Sequence, residues 1–181
     1  MKKVISFKLP YVISFCFGYL SHNFLQYFML IAEKGISYYA EAHLSLGNCL
    51  IHTVGMPFSM TGLLLLIPAI FQLKPEKANV LMYSILSFYI GHYIRLNIAI
   101  CFIFWCKYFF IINYAKRLYG KYYEKYNIWY IFQLGMIISI TGLGFQELFG
   151  HYLFGDIPSR IEGIPNAMLY AMYFSISHII H

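Results

Sequence analysis

Residues 49–73 read CLIHTVGMPFSMTGLLLLIPAIFQL, a run with no charged side chain that stops at Lys74-Pro75-Glu76-Lys77. A helix crosses the hydrocarbon core of a bilayer with about 20 predominantly apolar residues, and this run is longer. It reads as a membrane-spanning helix. Pro57 and Pro68 inside it imply kinks, which membrane helices tolerate where neighbours satisfy the freed carbonyls.

The composition agrees with that reading. Of 181 residues, 60% are hydrophobic and 11% charged, with 18 Tyr and 17 Phe; soluble domains average about 45–50% apolar and about 25% charged residues. Mean hydropathy is +0.62. The expectation is an all-α, polytopic transmembrane helix bundle forming a single domain over residues 1–181. A net charge of +6 arises from 13 basic and 7 acidic residues. The basic residues gather at a few places, which orients a membrane protein and argues against a nucleic-acid partner. Cys16, Cys49, Cys101 and Cys106 form no CxxC pair and lie in or beside apolar segments. They read as reduced packing residues, not a zinc or disulfide framework. Lys2, Lys3 and Lys8 precede an apolar run, but no small-x-small site follows, so no cleavable signal peptide is expected.

Upstream, residues 10–32 are long enough to span, yet Ser21-His22-Asn23 and Gln26 within them equally suit an amphipathic helix at the interface. Downstream, residues 78–114 are too long for one span, and Arg95 near their middle would be costly in lipid. Two helices, 78–93 and 97–114, joined near Arg95, resolve both problems. A basic segment Lys116–Lys125, a span over 128–149, a polar loop over 150–163 and a span over 164–180 complete five to six membrane helices. Charge alternates between loops. The N-terminus carries +3, Lys74–Lys77 +1 and Lys116–Lys125 +3, against −1 over 33–48 and −2 over 147–163. The positive-inside bias then puts both termini on the cytoplasmic side, and His43, His52, the Arg95 turn and His151 at one membrane boundary.

The histidines at that boundary are the candidate chemistry. His43 and His52 are nine residues apart, and unbroken helix would turn about 900° between them, onto opposite faces. Leu46-Gly47-Asn48 interrupts it. Gly47 suits the left-handed residue past a helix end, and Asn48 suits the N-cap of the next helix. His43 is thus expected in the last turn of one helix and His52 in the first turn of another, converging as metal ligands must. A histidine at a membrane boundary is also commonly a packing residue, and spacing alone does not choose between these. His22, His178 and His181 read as incidental.

The second cluster is FQELFGHYLFGD, Phe145–Asp156. Glu147 and His151 are four apart, on one face of an α-helix. With His43 and His52 they meet the ligand requirement of a non-haem Fe(II) site, which combines neutral imidazoles with oxygen ligands and open positions. Glu147 equally suits a supporting hydrogen bond to a ligand histidine. Gly91-His92-Tyr93 echoes Gly150-His151-Tyr152 at the end of another helix, which adds His92 to the supporting candidates. His151 and Asp156 also form HxxxxD, the pattern of membrane glycerolipid acyltransferases.

The pattern Tyr39-x-x-x-His43-x-x-x-x-Asn48-x-x-x-His52-x-x-Gly55-x-Pro57, followed by Gly150-His151-x-x-Phe154, resembles the Mpo1-like family, formerly a domain of unknown function. Its characterised member is a 2-hydroxy fatty acid dioxygenase of the endoplasmic reticulum. The resemblance covers roughly residues 33–175. It implies an Fe(II)-dependent enzyme of fatty-acid α-oxidation that uses O₂ to cleave the C1–C2 bond of a 2-hydroxy fatty acid, leaving a chain one carbon shorter. His43, His52 and His151 match the family's histidines. Asn48, His92, Arg95 and Asp156 are the candidate supporting residues, Arg95 as a partner for the substrate carboxylate or as an interfacial anchor. Gly155 stands where the family's second motif has an acidic residue, with Asp156 next, and Glu147 stands where glutamine is common. Two other readings remain: a non-enzymatic membrane scaffold or lipid-binding protein, and an acyltransferase using His151 and Asp156.

Overall fold

The computed structural model describes residues 2–28, 43–156 and 164–180, and among these it is helical with no strand. The helices are α1 (Lys2–Phe28), α2 (Leu46–Ile70), α3 (Pro75–Tyr93), α4 (Ile98–Lys125), α5 (Ile128–Phe145) and α6 (Ile164–Ile180). α5 runs directly into a π-helical turn, Gln146–Tyr152. The starts follow local chemistry. Side chains of Ser45, Asn97 and Asn127 accept hydrogen bonds from first-turn amides of α2, α4 and α5, and α3 opens on Pro75 with Glu76 behind it. A proline at the first helical position loses no ladder bond.

Small residues set the central seam. A Cβ placed on Gly135 would lie 2.8 Å from Leu66 N and 2.9 Å from the Gly62 carbonyl oxygen, and one on Gly142 would lie 2.6 Å from Ser59 N. Gly62 abuts Ser139, Gly55 abuts Gln146, and Gly150 abuts Asn48. Partners on α5 fall in number as those on α2 rise, so the two helices are antiparallel and in backbone contact. Close approach of small residues is what drives helix association where lipid removes the hydrophobic incentive. α1 packs against α3 in the same way, Gly18 on Phe88 and Gly91 on Phe15 and Tyr19, and these two run parallel, since Tyr11 meets Tyr83, Phe17 meets Phe88 and Tyr19 meets Arg95. A second core of large side chains, including Met82, Phe104, Tyr108 and Tyr119, fills the space towards α3 and α4.

The pairings put the ends in order. Thr53 meets Lys107 and Leu73 meets Tyr119, so α2 and α4 run parallel, and α3 runs against both. The α2–α3 turn and the α4–α5 turn therefore share one end. These carry Lys74–Lys77 and Lys116–Lys125. The opposite end holds the start of α2, the Arg95 turn and the π turn, as the loop charges imply.

Among the described residues, three helices are long and apolar enough to cross a membrane: Leu46–Ile70, Ile98–Lys125 and α5 with its π turn, Ile128–Tyr152. This is compatible with a membrane-embedded protein. The break near Arg95 is where the sequence puts it. Three local expectations are corrected. The α2 N-cap is Ser45, so Gly47 and Asn48 lie inside the helix. Gly47 is there because the Phe154 ring lies against its Cα. His43 is in non-helical chain ahead of α2, because the cap comes earlier than Gly47 suggests. The basic segment Lys116–Lys125 is no separate interfacial piece but the end of α4, since nothing in it breaks the helix before Tyr126. The segment 33–42 and the 157–163 part of the polar loop lie outside the described residues.

Gly135→Ala should destabilise the protein by about 1–3 kcal/mol, the cost of overpacking, because its Cβ meets backbone that cannot turn aside. Gly144 has open space around its Cα, so Gly144→Ala should be neutral or stabilising by up to about 1 kcal/mol through helix propensity. Thermal unfolding in detergent distinguishes the two, and equal effects would deny that the α2–α5 seam is a backbone contact.

Candidate metal centre

His43, His52 and His151 meet in the interior, with exposures of 1%, 4% and 1%. His43 comes from the non-helical chain before α2, His52 from the second turn of α2, and His151 from the π turn. Their ligand nitrogens all lie within 4.8 Å of one another. The Nε2 atoms of His43 and His52 are 3.2 Å apart, and the three rings are edge-on to one another at centroid distances of 4.4–5.2 Å. Two nitrogens bound at about 2.0–2.1 Å to one ion, at angles from square to tetrahedral, would be about 2.8–3.4 Å apart. The His43–His52 pair has this spacing, and the three donors together could hold a metal ion.

The ring orientations are fixed from outside the trio. Gln146, buried on the π turn, is a hydrogen-bond partner of the His52 ring. Its amide nitrogen donates to Ser59 Oγ at 2.8 Å and to the Gly142 carbonyl at 2.9 Å, which leaves its carbonyl oxygen for the histidine. An acceptor on one ring nitrogen favours the tautomer whose other nitrogen keeps its lone pair for a metal. Asn48 serves His151: its amide nitrogen is 3.4 Å from His151 Nδ1 and donates to Asp156 Oδ2 at 2.8 Å. Asp156 Oδ2 also accepts from Ser45 N at 3.2 Å, a carboxylate at the favourable end of the α2 dipole. Gly155, at φ +69°, supplies the left-handed residue that turns the chain back for this contact. His151 Nε2 is buried and has no hydrogen-bond partner among the described residues; Glu147 Oε1 is 4.0 Å away. A buried nitrogen left without a partner costs stability, and a metal ion removes that cost.

The π turn decides which residue joins the histidines. Five residues of α-helix turn about 500°, which would send Gln146 and His151 to different faces, whereas i→i+5 bonding aligns them. Gln146 is consequently buried beside His52, and Glu147 is rotated to an exposed rim position. Sequence spacing, which assumes an α-helix, selects Glu147 and misses Gln146. The only sequence sign of Gln146 is that a polar amide ends a long apolar run.

The other candidates are dispersed. Asp156 is in the network, but its carboxylate is hydrogen-bonded to Asn48 and Ser45, so it reaches His151 through an intermediary rather than as the direct orienter of an HxxxxD dyad. His92 is fully buried in the bundle against Phe88 and Tyr170, apart from the trio. Arg95 is exposed, donates to the Tyr19 carbonyl at 3.2 Å and covers the Tyr19 ring at 4.9 Å; it pins α1 to the α3–α4 turn. The side chains of His22, His178 and His181 lie outside the described residues. Compared with known proteins, the chain matches no family model, no curated protein and no solved structure.

Replacing any of His43, His52 or His151 by alanine should abolish stoichiometric metal binding, measured by elemental analysis after gentle purification, while His178→Ala should not. Gly150→Ala should be nearly as severe, since the added Cβ runs into Asn48 Oδ1 and comes within 3.3 Å of His52 Nε2. Glu147→Gln should leave the metal in place and Gln146→Leu should weaken it about 10–100-fold, as loss of a supporting hydrogen bond to a ligand does. The reverse order of these two would make Glu147 a direct ligand.

Proposed function

We propose that this chain is a membrane dioxygenase of fatty-acid α-oxidation that holds Fe(II) on His43, His52 and His151. It cleaves 2-hydroxy fatty acids with O₂ to fatty acids one carbon shorter. The observation that carries the proposal is the burial of three histidines from two distant segments, with ligand nitrogens within 4.8 Å of one another. Imidazole donors suit iron, zinc, copper and nickel alike. The choice of iron, and of the substrate, rests on the resemblance of the two histidine motifs to the Mpo1-like family.

Three neutral imidazoles leave the ion's positive charge uncompensated, which favours an anionic ligand such as a 2-hydroxy carboxylate. When bound, Fe(II) would supply a Lewis acid and a template for O₂ and substrate. The chain's own residues do the rest. Gln146 and Asn48 hold the rings in register. Burial of the trio, with Phe174 packed on His43, keeps bulk water out, and Glu147 offers a proton acceptor at the rim. An apolar groove of about 330 Å³ between α2 and α5 is lined by Val54, Phe58, Ile137 and Phe145. Gly55 and Gly142 form part of its wall and also pack around Gln146 and Ser59, so the groove begins beside the His52 network and suits an acyl tail. α1, α3 and α6 complete a six-span bundle in this reading, with both termini cytoplasmic, and the endoplasmic reticulum as the membrane in a eukaryotic host.

Anaerobically purified protein loaded with Fe(II) should convert 2-hydroxypalmitate and O₂ to the acid one carbon shorter, and a chelator should stop it. Activity in His43→Ala equal to wild type would sink the proposal. Acyl-CoA consumption that ignores metal, with Asp156→Asn as damaging as His151→Ala, would establish the acyltransferase instead. A metal-free protein with no turnover would leave a scaffold or lipid-binding role.

A further inference from the structure

Lys107 is a cation in the middle of an apolar helix. It lies on α4, among residues long and apolar enough to span a membrane, and is partly buried there. Lysines near a membrane usually extend towards the interface, and a charge kept at depth marks a function or a partner. No ion pair to Lys107 is found among the described residues. Its Nζ instead donates to the main-chain carbonyl of Thr53 at 2.8 Å. That carbonyl is a particular one. In an α-helix Thr53 O accepts from the amide of residue 57, and residue 57 is Pro57, which has none.

We propose that Lys107 is a positioning residue for the histidine centre: its ammonium replaces the amide hydrogen that Pro57 removes from α2, and so fixes the turn carrying His52. Thr53, the next residue after His52, is where three helices are tied together. Its carbonyl is held by Lys107 of α4, and its hydroxyl hydrogen is shared between the Cys49 carbonyl at 2.9 Å and the Ser175 carbonyl of α6 at 3.0 Å. A carbonyl left open in an apolar interior would tilt outward or admit water, rotating the Thr53–Val54 peptide and with it the turn that carries His52. The His52 ring is 3.2 Å from its neighbour's nitrogen, and a small rotation there changes the ligand set. Pro57 and Lys107 therefore act as a pair: the proline opens the ladder one turn past the ligand, and the lysine closes it from another helix. This gives the opening of α2 a fixed distance to α4 that a continuous helix would not impose.

The inference rests on the metal-site reading above, and Co²⁺ titration of the full chain in detergent tests both separately, using the visible ligand-field bands as the readout. Lys107→Met should weaken Co²⁺ binding about 10–100-fold, the usual cost of losing a residue that supports a ligand, and should shift the bands. Lys107→Arg, which keeps donors and charge, should restore most of the affinity. The decisive variant is Pro57→Ala/Lys107→Met: the Pro57→Ala change returns the missing amide hydrogen to the Thr53 carbonyl, so the affinity and spectrum of the double variant should match those of Pro57→Ala alone. Lys107→Met with wild-type affinity and spectrum, or a double variant as weak as Lys107→Met, would overturn the pairing while leaving the metal site standing. Failure of the wild type to bind Co²⁺ would overturn both.

Discussion

A neutral imidazole carries a proton on one nitrogen and a lone pair on the other, and when it is buried both need partners. Three such rings packed edge to edge impose that demand on everything around them. Gln146 answers it for His52, and Asn48, held by Asp156, answers it for His151. His151 Nε2, which has no hydrogen-bond partner among the described residues, and the close His43–His52 pair are what a metal ion would satisfy. The seam of small residues, the π turn and the early N-cap of α2 all serve to bring these rings and their partners within reach.

The seam works because glycine removes the side chain that would hold two backbones apart. From Gly135 to Gly150 it lets α5 descend on α2 closely enough for Gln146 to pass from one helix to the other. The same tight contact makes the site intolerant of added volume. Gly150 can be nothing larger because Asn48 and the His52 ring occupy the space a Cβ would take. Packing and chemistry are here one constraint, since a looser seam would separate the ligands.

Prolines in α2 show how a membrane helix manages a broken ladder. The carbonyl opposite Pro57 is met by a lysine from α4, and the Thr61 hydroxyl donates to the Pro57 carbonyl at 2.7 Å. Lys107 thereby turns a costly buried charge into a tie between helices. Arg95 does a comparable service at the boundary, where its guanidinium meets a carbonyl and a ring of α1.

Much was legible in residue order alone. Charge-free runs set the long apolar helices, Arg95 set the break between α3 and α4, and basic and acidic loops set which ends lie together. The histidine motifs named the three residues that converge, because hydrophobic length and charge placement act locally and leave their mark in sequence. Tertiary structure decided the rest. Ser45 rather than Asn48 caps α2, which frees Asn48 to reach His151. The π turn exchanges Glu147 for Gln146 at the centre, since a change from 3.6 residues per turn reassigns every face and nothing local announces it. Lys107, unremarkable in its own helix, gains its role from a proline fifty residues away. A hydrogen bond between distant segments depends on where two backbones are brought together, and that distance exists only once the helices have packed.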